Sequence, residues 1–219
     1  MPRLLFEKKG NAVWISHLDL MRLFQRAFKR AGLYLKHTQG FNPRPSVSIA
    51  LPLSVGIQSQ CEVLEFDLDG ESIPCEEIKI RLNRVLVDGI SVLDVYTDGR
   101  KYGELSYLEC EITLEYDNGV SKDAADKIKQ LLCNSPLILP KKTKSGIQDQ
   151  DISEMIKKLV IIPAGENTLE IRCLICCQNP TLNPAQITLA IAKFLPDYAP
   201  SFSWCKRIEI FDKKCNVFR

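Results

Sequence analysis

The chain has two histidines, His17 in the stretch SHLDLMR and His37 in KHTQGFNPRP. Imidazole titrates closest to neutrality of all side chains, so two of them can act as acid and base in cleaving a phosphodiester without a metal. That chemistry needs both rings at one phosphate. His17 falls on the core side of a helix's first turn, where an imidazole more often packs and hydrogen-bonds than catalyses. His37 opens a proline-rich loop, where exposure is expected.

Positive charge gathers around these two residues. Residues 1–50 hold nine Lys or Arg against two acids, a balance of +7; the remaining 169 hold 20 against 25, a balance of −5. The net +2 therefore conceals a segregated field. At about 100° per residue, Arg22, Arg26, Lys29 and Arg30 share an arc opposite Met21, Phe24 and Phe28. Only Asp19 stands close enough along the helix to neutralise any of them. Such a face suits phosphates; the alternative is a merely solvated surface.

Residues 37–53, HTQGFNPRPSVSIALPL, carry Pro at 43, 45 and 52. A residue before proline is driven out of helical conformation, so Asn42 and Arg44 are held extended, and Gly40 permits a tight turn. The expected product is a pre-shaped ridge: Arg44 for a phosphate, Phe41 for stacking on a base, Gln39 and Asn42 for base edges. The competing expectation is a crossover between sheet elements with Phe41 plugged into the core.

Nine cysteines invite a metal reading, above all CLICC at residues 173–177. A zinc knuckle or an iron–sulfur run needs a turn on which sulfurs converge, whereas this stretch has strand chemistry, with Cys173 and Cys177 on one face and Cys176 on the other. There is no second CxxC, glycine-rich phosphate loop, serine nucleophile elbow or CxxxCxxC radical S-adenosylmethionine signature, so neither metal nor cofactor is expected. An odd set of scattered thiols without an apolar leader points to reduced cysteines and a cytoplasmic setting. No apolar run approaches the roughly 20 residues that cross a bilayer, so no membrane partner is expected.

Periodicity supplies the elements that would position these groups. Ser16 caps a helix over residues 17–31, with Leu18, Met21, Phe24, Phe28 and Ala31 at spacings of three and four, and Gly32 ends it. A strand at 3–8 precedes it. Short extended pieces, strands around SVSIAL and EVLEFDLDG, a helix after Pro74 and a strand ISVLDVYT follow. This order is that of a ferredoxin-like split βαβ unit. The second half repeats it: strand SYLECEITLEYD, a helix capped by Ser121, a hairpin of EMIKKLVIIPA with NTLEIRCLICC, a helix from Pro184 and a strand WCKRIEIFD. Residues 141–152 read as a flexible surface insertion. The expected fold is α+β: two tandem ferredoxin-like units, antiparallel sheets with helices on one face. The basic domain covers residues 1–99 and the second covers 100–219, joined within YTDGRKYGE.

Over residues 7–67 the chain resembles a bacterial family of radical SAM-linked proteins, a domain of unknown function. Ser16, His17, Asp19 and Arg22 of SHLDLMR, and Gln39, Gly40, Phe41, Asn42, Pro43 and Pro45 of QGFNPRP, occupy its motif positions, and NPAQI resembles a late motif. Thr38 stands where Ser is common, and Trp14 with Ile15 around the usual aromatic position. The family offers no established catalytic residue. Its members occur beside or fused behind a radical SAM enzyme, so the resemblance implies a partner or substrate-presenting role. Charge, loop and resemblance together predict an RNA-binding accessory protein, for transfer or ribosomal RNA, acting with a separate radical SAM enzyme. The alternatives are a metal-independent endoribonuclease using His17 or His37, and a protein-interaction subunit whose basic face meets an acidic partner.

Overall fold

The structure, a computed structural model, describes residues 1–219 other than Glu71, Ser135, Lys144 and Ser145. The chain divides into two units, Met1–Glu104 with Phe218–Arg219, and Leu105–Val217. The division lies at the end of YTDGRKYGE, and the last two residues belong with the first unit.

In the first unit the elements run β1 (Arg3–Lys8), α1 (His17–Arg30), β2 (Val47–Ile49), β3 (Ile57–Phe66), α2 (Cys75–Asn83) and β4 (Ile90–Tyr96). β1 lies between β3 and β4, and β2 pairs with β3 from Val47↔Phe66 to Ile49↔Leu64, every pairing antiparallel. The second unit contains β5 (Leu105–Glu115), α3 (Ala124–Cys133), β6 (Ile138–Thr143), β7 (Gly146–Asp151), β8 (Ile156–Pro163), β9 (Thr168–Cys176), α4 (Ala185–Phe194) and β10 (Phe202–Asp212). There β5 lies between β10 and β9, and β8 borders β9, again antiparallel. The architecture is mixed α+β, mostly antiparallel, with four α-helices among the described residues.

α1 is closed at both ends by its own sequence. Ser16 Oγ accepts from the Asp19 N–H at 3.2 Å and donates to the Asp19 carboxylate at 2.8 Å, satisfying an orphan donor of the first turn. Beyond Ala31, Gly32 takes φ +68°, a left-handed conformation in which a side chain is strained. Its N–H donates to Lys29 O at 3.2 Å and that of Leu33 to Phe28 O at 2.9 Å, the paired bonds of a Schellman motif. The inner face of α1 meets the sheet through Phe24 against Phe6, ring centroids 4.7 Å apart, and Phe28 against Phe66, 4.9 Å apart.

Several sequence expectations change. The buried stripe of α1 is Leu20, Phe24, Ala27 and Phe28, while Leu18 is 67% exposed. Leu18 lies six residues before Phe24, hence about 120° around the helix from the ring that docks on β1. Arg3 and Lys8 are buried, so neither is presented at the surface to a ligand: Lys8 Nζ donates to Ile15 O at 2.8 Å, and Arg3 pairs with Glu65 at 2.9 Å. Ser121 does not cap α3; its hydroxyl donates to the Asp123 carboxylate at 2.6 Å, and Asp123 occupies the cap position without a side-chain cap bond. Most of residues 141–152, expected as a flexible insertion, form a hairpin, with β6 and β7 in register from Ile138↔Asp151 to Thr143↔Gly146. Its first strand lies largely in PLILPKK, which reads as extended, whereas the second, GIQDQD, is mostly polar and carries no hydrophobic alternation; Lys144 and Ser145 lie outside the described residues. The late NPAQI stretch is a helix start: Asn183 Oδ1 accepts from Ala185 N–H at 3.1 Å and Gln186 Oε1 from Asn183 N–H at 3.2 Å, a reciprocal cap.

Candidate nucleic-acid interface

α1 turns its basic arc outward. A cavity of about 680 Å³ borders it, with Asp19, Arg22, Arg26, Lys29 and Arg30 on the polar side and Ile15, Leu23 and Val87 on the apolar side. Arg22 Nη1 reaches Asp19 Oδ1 at 2.9 Å, both side chains largely exposed. The Ser16 hydroxyl first, and then Arg22, holds the Asp19 carboxyl below the usual carboxylate range. Arg30 Nη2 donates to Val85 O at 2.8 Å, which fixes its guanidinium over the α2–β4 connection. Arg26 and Lys29 have no carboxylate partner among the described residues. The outward charge is thus one paired cation, one anchored cation and two with no carboxylate in ion-pair contact among the described residues, on one side of a single helix.

The proline loop leaves this helix as a closed hairpin. Ser46 N–H donates to Lys36 O at 2.7 Å, His37 bridges Pro45, and Thr38 N–H donates to Arg44 O at 2.8 Å. The clasp is completed by the Thr38 hydroxyl, which accepts from the Arg44 N–H at 3.0 Å. Proline cannot donate, so Arg44 is the residue between Pro43 and Pro45 that can close the loop from its own strand. Gln39, Phe41, Asn42 and Arg44 are all exposed at the tip, and Phe41 is fully exposed. The core-plug expectation for Phe41 is therefore excluded: nothing covers the ring. Thr38 escaped the sequence reading, which weighed it only as a replacement for Ser; the shared hydroxyl was its signal.

A second cavity, of about 540 Å³, opens between the C-terminal half of α1 and the base of the hairpin, lined among others by Gln25, Lys29, Tyr34, His37, Pro45 and Asp69. Lys29 lines both cavities. Tyr34 is 66% exposed between the buried Leu33 and Leu35. The sequence reading passed over Tyr34 and Asp69, although a large aromatic on the outer side of an alternating LYL stretch was a usable signal.

The two histidines do not meet. His37 shares the second cavity with Gln25 and Lys29, whereas His17 begins the helix eight residues before Gln25, about 12 Å away along the axis. Acid and base must each come within about 3 Å of the group they serve. His17 is half-buried, and its Nδ1 is buried without a hydrogen-bond partner, which fits the inward direction read from the helix period.

In the second unit, CLICC lies in and just after β9, where Cys173 is paired with Cys110 of β5 and their sulfurs are 3.4 Å apart. Contact with Cys173 and burial push the Cys110 thiol well up, and contact with Cys110 and burial do the same to Cys205. Cys110 and Cys173 are both buried. Among the described residues no group of three or more His, Cys, Asp or Glu is placed to hold a metal ion, and no helix is long and apolar enough to cross a membrane.

The fold class is thus mixed α+β with a basic helix and an exposed hairpin on its first unit. By sequence, the chain belongs to the family DUF2344, described as an uncharacterised protein conserved in bacteria, which matches residues 2–184. No curated protein matches it. Among solved structures, a Cbf5–Nop10–Gar1 complex is similar at 6% identity with a TM-score of 0.51, covering 95% of this chain and 48% of that one. An H/ACA RNP bound to a substrate RNA containing 2′-deoxyuridine, and an archaeal box H/ACA sRNP Nop10–Cbf5 complex, each align at 7% identity with a TM-score of 0.49, covering 94% of this chain and 46% of theirs. The chain therefore spans about half the length of these three chains, and the likeness is one of fold.

Proposed function

We propose that this protein binds RNA through its first unit, as an accessory or substrate-presenting protein that acts with a separate radical SAM enzyme on transfer or ribosomal RNA. The observation that carries the RNA reading is the combination of a helix face with four cations against one carboxylate and a pre-closed hairpin whose aromatic tip is fully exposed. Phosphates supply the missing counter-charge, and a base supplies the missing cover for the ring. The hairpin is held by three cross-strand contacts before any ligand arrives, so little ordering entropy remains to be lost on binding. The radical SAM partner is supported by the resemblance over residues 7–67 alone. We further read each unit as a ferredoxin-like split βαβ module: the strand order last–first–third–second, set aside from the β6–β7 hairpin, supports this in both.

The test is a salt titration of binding to a labelled single-stranded RNA. With four contacting cations the slope of log K against log salt is expected near −3, at about −0.7 per phosphate contact. Changing Arg26→Glu with Lys29→Glu removes the two cations without a carboxylate contact and should abolish binding at about 150 mM salt while shifting stability by less than about 0.5 kcal/mol, as for other surface positions. Unchanged affinity in that variant overturns the reading. Intact RNA should be recovered from the mixture; cleaved product would instead favour the endoribonuclease alternative. A partner enzyme is tested by co-elution of the purified pair with RNA present and absent.

A further inference from the structure

We propose that the second cavity of the first unit is a base pocket that takes one unpaired nucleotide of the RNA whose phosphates run along α1. The inference rests on the RNA-binding reading and sharpens it to unpaired RNA, with α1 as the phosphate track and the Tyr34–His37–Asp69 cavity as the reader.

The two cavities adjoin through Lys29 but differ in chemistry. The first is bordered by three arginines and a lysine, with its one carboxylate, Asp19, paired to Arg22, whereas in the second the Asp69 carboxylate stands with a single lysine, the Gln25 carboxamide, the His37 imidazole and the Tyr34 ring. A carboxylate repels phosphate and accepts N–H bonds, so the second cavity is built for a base edge and the first for the backbone that carries it. Lys29, at their junction, is placed to hold the phosphate that joins the two. At about 540 Å³ the second cavity falls within the range of small-ligand sites.

Its rim is fixed in advance. Asp69 N–H donates to Tyr34 O at 2.8 Å, Lys36 N–H to Asp67 O at 2.9 Å, and Leu35 bridges Leu68. These bonds hold the Tyr34 and Asp69 backbones side by side. Tyr34 itself contributes little to the core, since Leu33 and Leu35 on either side are the buried pair. Stacking on a base gives such a ring a partner. Duplex RNA cannot provide one: its bases are stacked and paired, and its deep, narrow major groove does not admit side chains. Adenine, cytosine and guanine can donate an exocyclic amino N–H to Asp69, whereas uracil offers only its imide N3–H between two carbonyls that the carboxylate repels, so an amino-bearing base should be preferred.

The test compares dissociation constants for a short RNA as a single strand and as a duplex, by fluorescence anisotropy, in native protein, Tyr34→Ala and Asp69→Ala. Both residues are exposed, and unchanged melting temperatures confirm the fold. Native protein should favour the single strand by about tenfold or more, and Tyr34→Ala should weaken single-strand binding about tenfold while leaving duplex binding unchanged. Asp69→Ala removes a charge that repels RNA in general, so its readout is base preference: the discrimination of oligocytidine over oligouridine should vanish. Equal binding of duplex and single strand, or native-like behaviour of both variants while Arg26→Glu with Lys29→Glu still loses binding, overturns the pocket and leaves the RNA reading standing. A native chain that binds neither form overturns both.

Discussion

Phe41 and Thr38 show how differently two neighbouring residues depend on their surroundings. A phenylalanine ring with nothing over it contributes nothing to folding, so Phe41→Ala should leave calorimetric unfolding unchanged within about 0.5 kcal/mol. The same sample should lose about 1–3 kcal/mol of affinity for single-stranded RNA if the ring stacks as proposed. A stability loss of the size seen for core phenylalanines, about 3–5 kcal/mol, would contradict the exposure of the ring. Thr38 acts on the loop and not on the ligand. Thr38→Val keeps the shape but deletes the acceptor of the Arg44 N–H, so faster amide exchange at Arg44 and weaker RNA binding are expected, and Thr38→Ser should restore both.

For elements, the basic helix is the part most fully written in the sequence. Its start, its end and its cationic arc all follow from local rules, because Ser16, Asp19 and Gly32 act on backbone groups within a turn of themselves. Ser16→Ala should cost about 1 kcal/mol, and Gly32→Ala about 1–2 kcal/mol from the left-handed backbone, both read by thermal unfolding. The Asp19 carboxyl is depressed in the folded chain, so its contribution is present above the ordinary value of 3.8 and is lost as pH falls through the lower folded value. In Ser16→Ala the carboxyl should titrate closer to 3.8, which NMR can follow. Less was legible where a partner strand decides. Lys8 and Arg3 read as surface charge, yet both are buried on β1, where the Ile15 carbonyl and the Glu65 carboxylate take up their charged ends. The β7 half of the β6–β7 hairpin was hidden because GIQDQD, paired through its backbone, carries no hydrophobic alternation, whereas the β6 stretch PLILPKK reads as extended. The second cavity was invisible because it joins α1 to residue 69 across more than 40 positions, a proximity that no local periodicity encodes.

Across the molecule, the two ends of the chain meet in the first unit. Phe218 is fully buried with its ring 6.4 Å from that of Tyr102, and the Arg3 guanidinium lies 4.3 Å from the centre of the Tyr102 ring. Arg3 also donates to Arg100 O, while Arg100 N–H donates to Arg219 O at 2.8 Å. Phe218→Ala should therefore destabilise the first unit by about 3–5 kcal/mol, as seen in the protection of β1 and β4 amides from exchange, although the substitution lies at the opposite end of the sequence from both. The same latch sets an order of events on the ribosome. Every strand of the first unit has been translated once residue 96 is made, but the ring that completes its interior is translated more than a hundred codons later. Until then the first unit waits half-closed while the second is synthesised, and a nascent chain halted anywhere in the second unit would expose an aromatic-lined gap to chaperones and proteases.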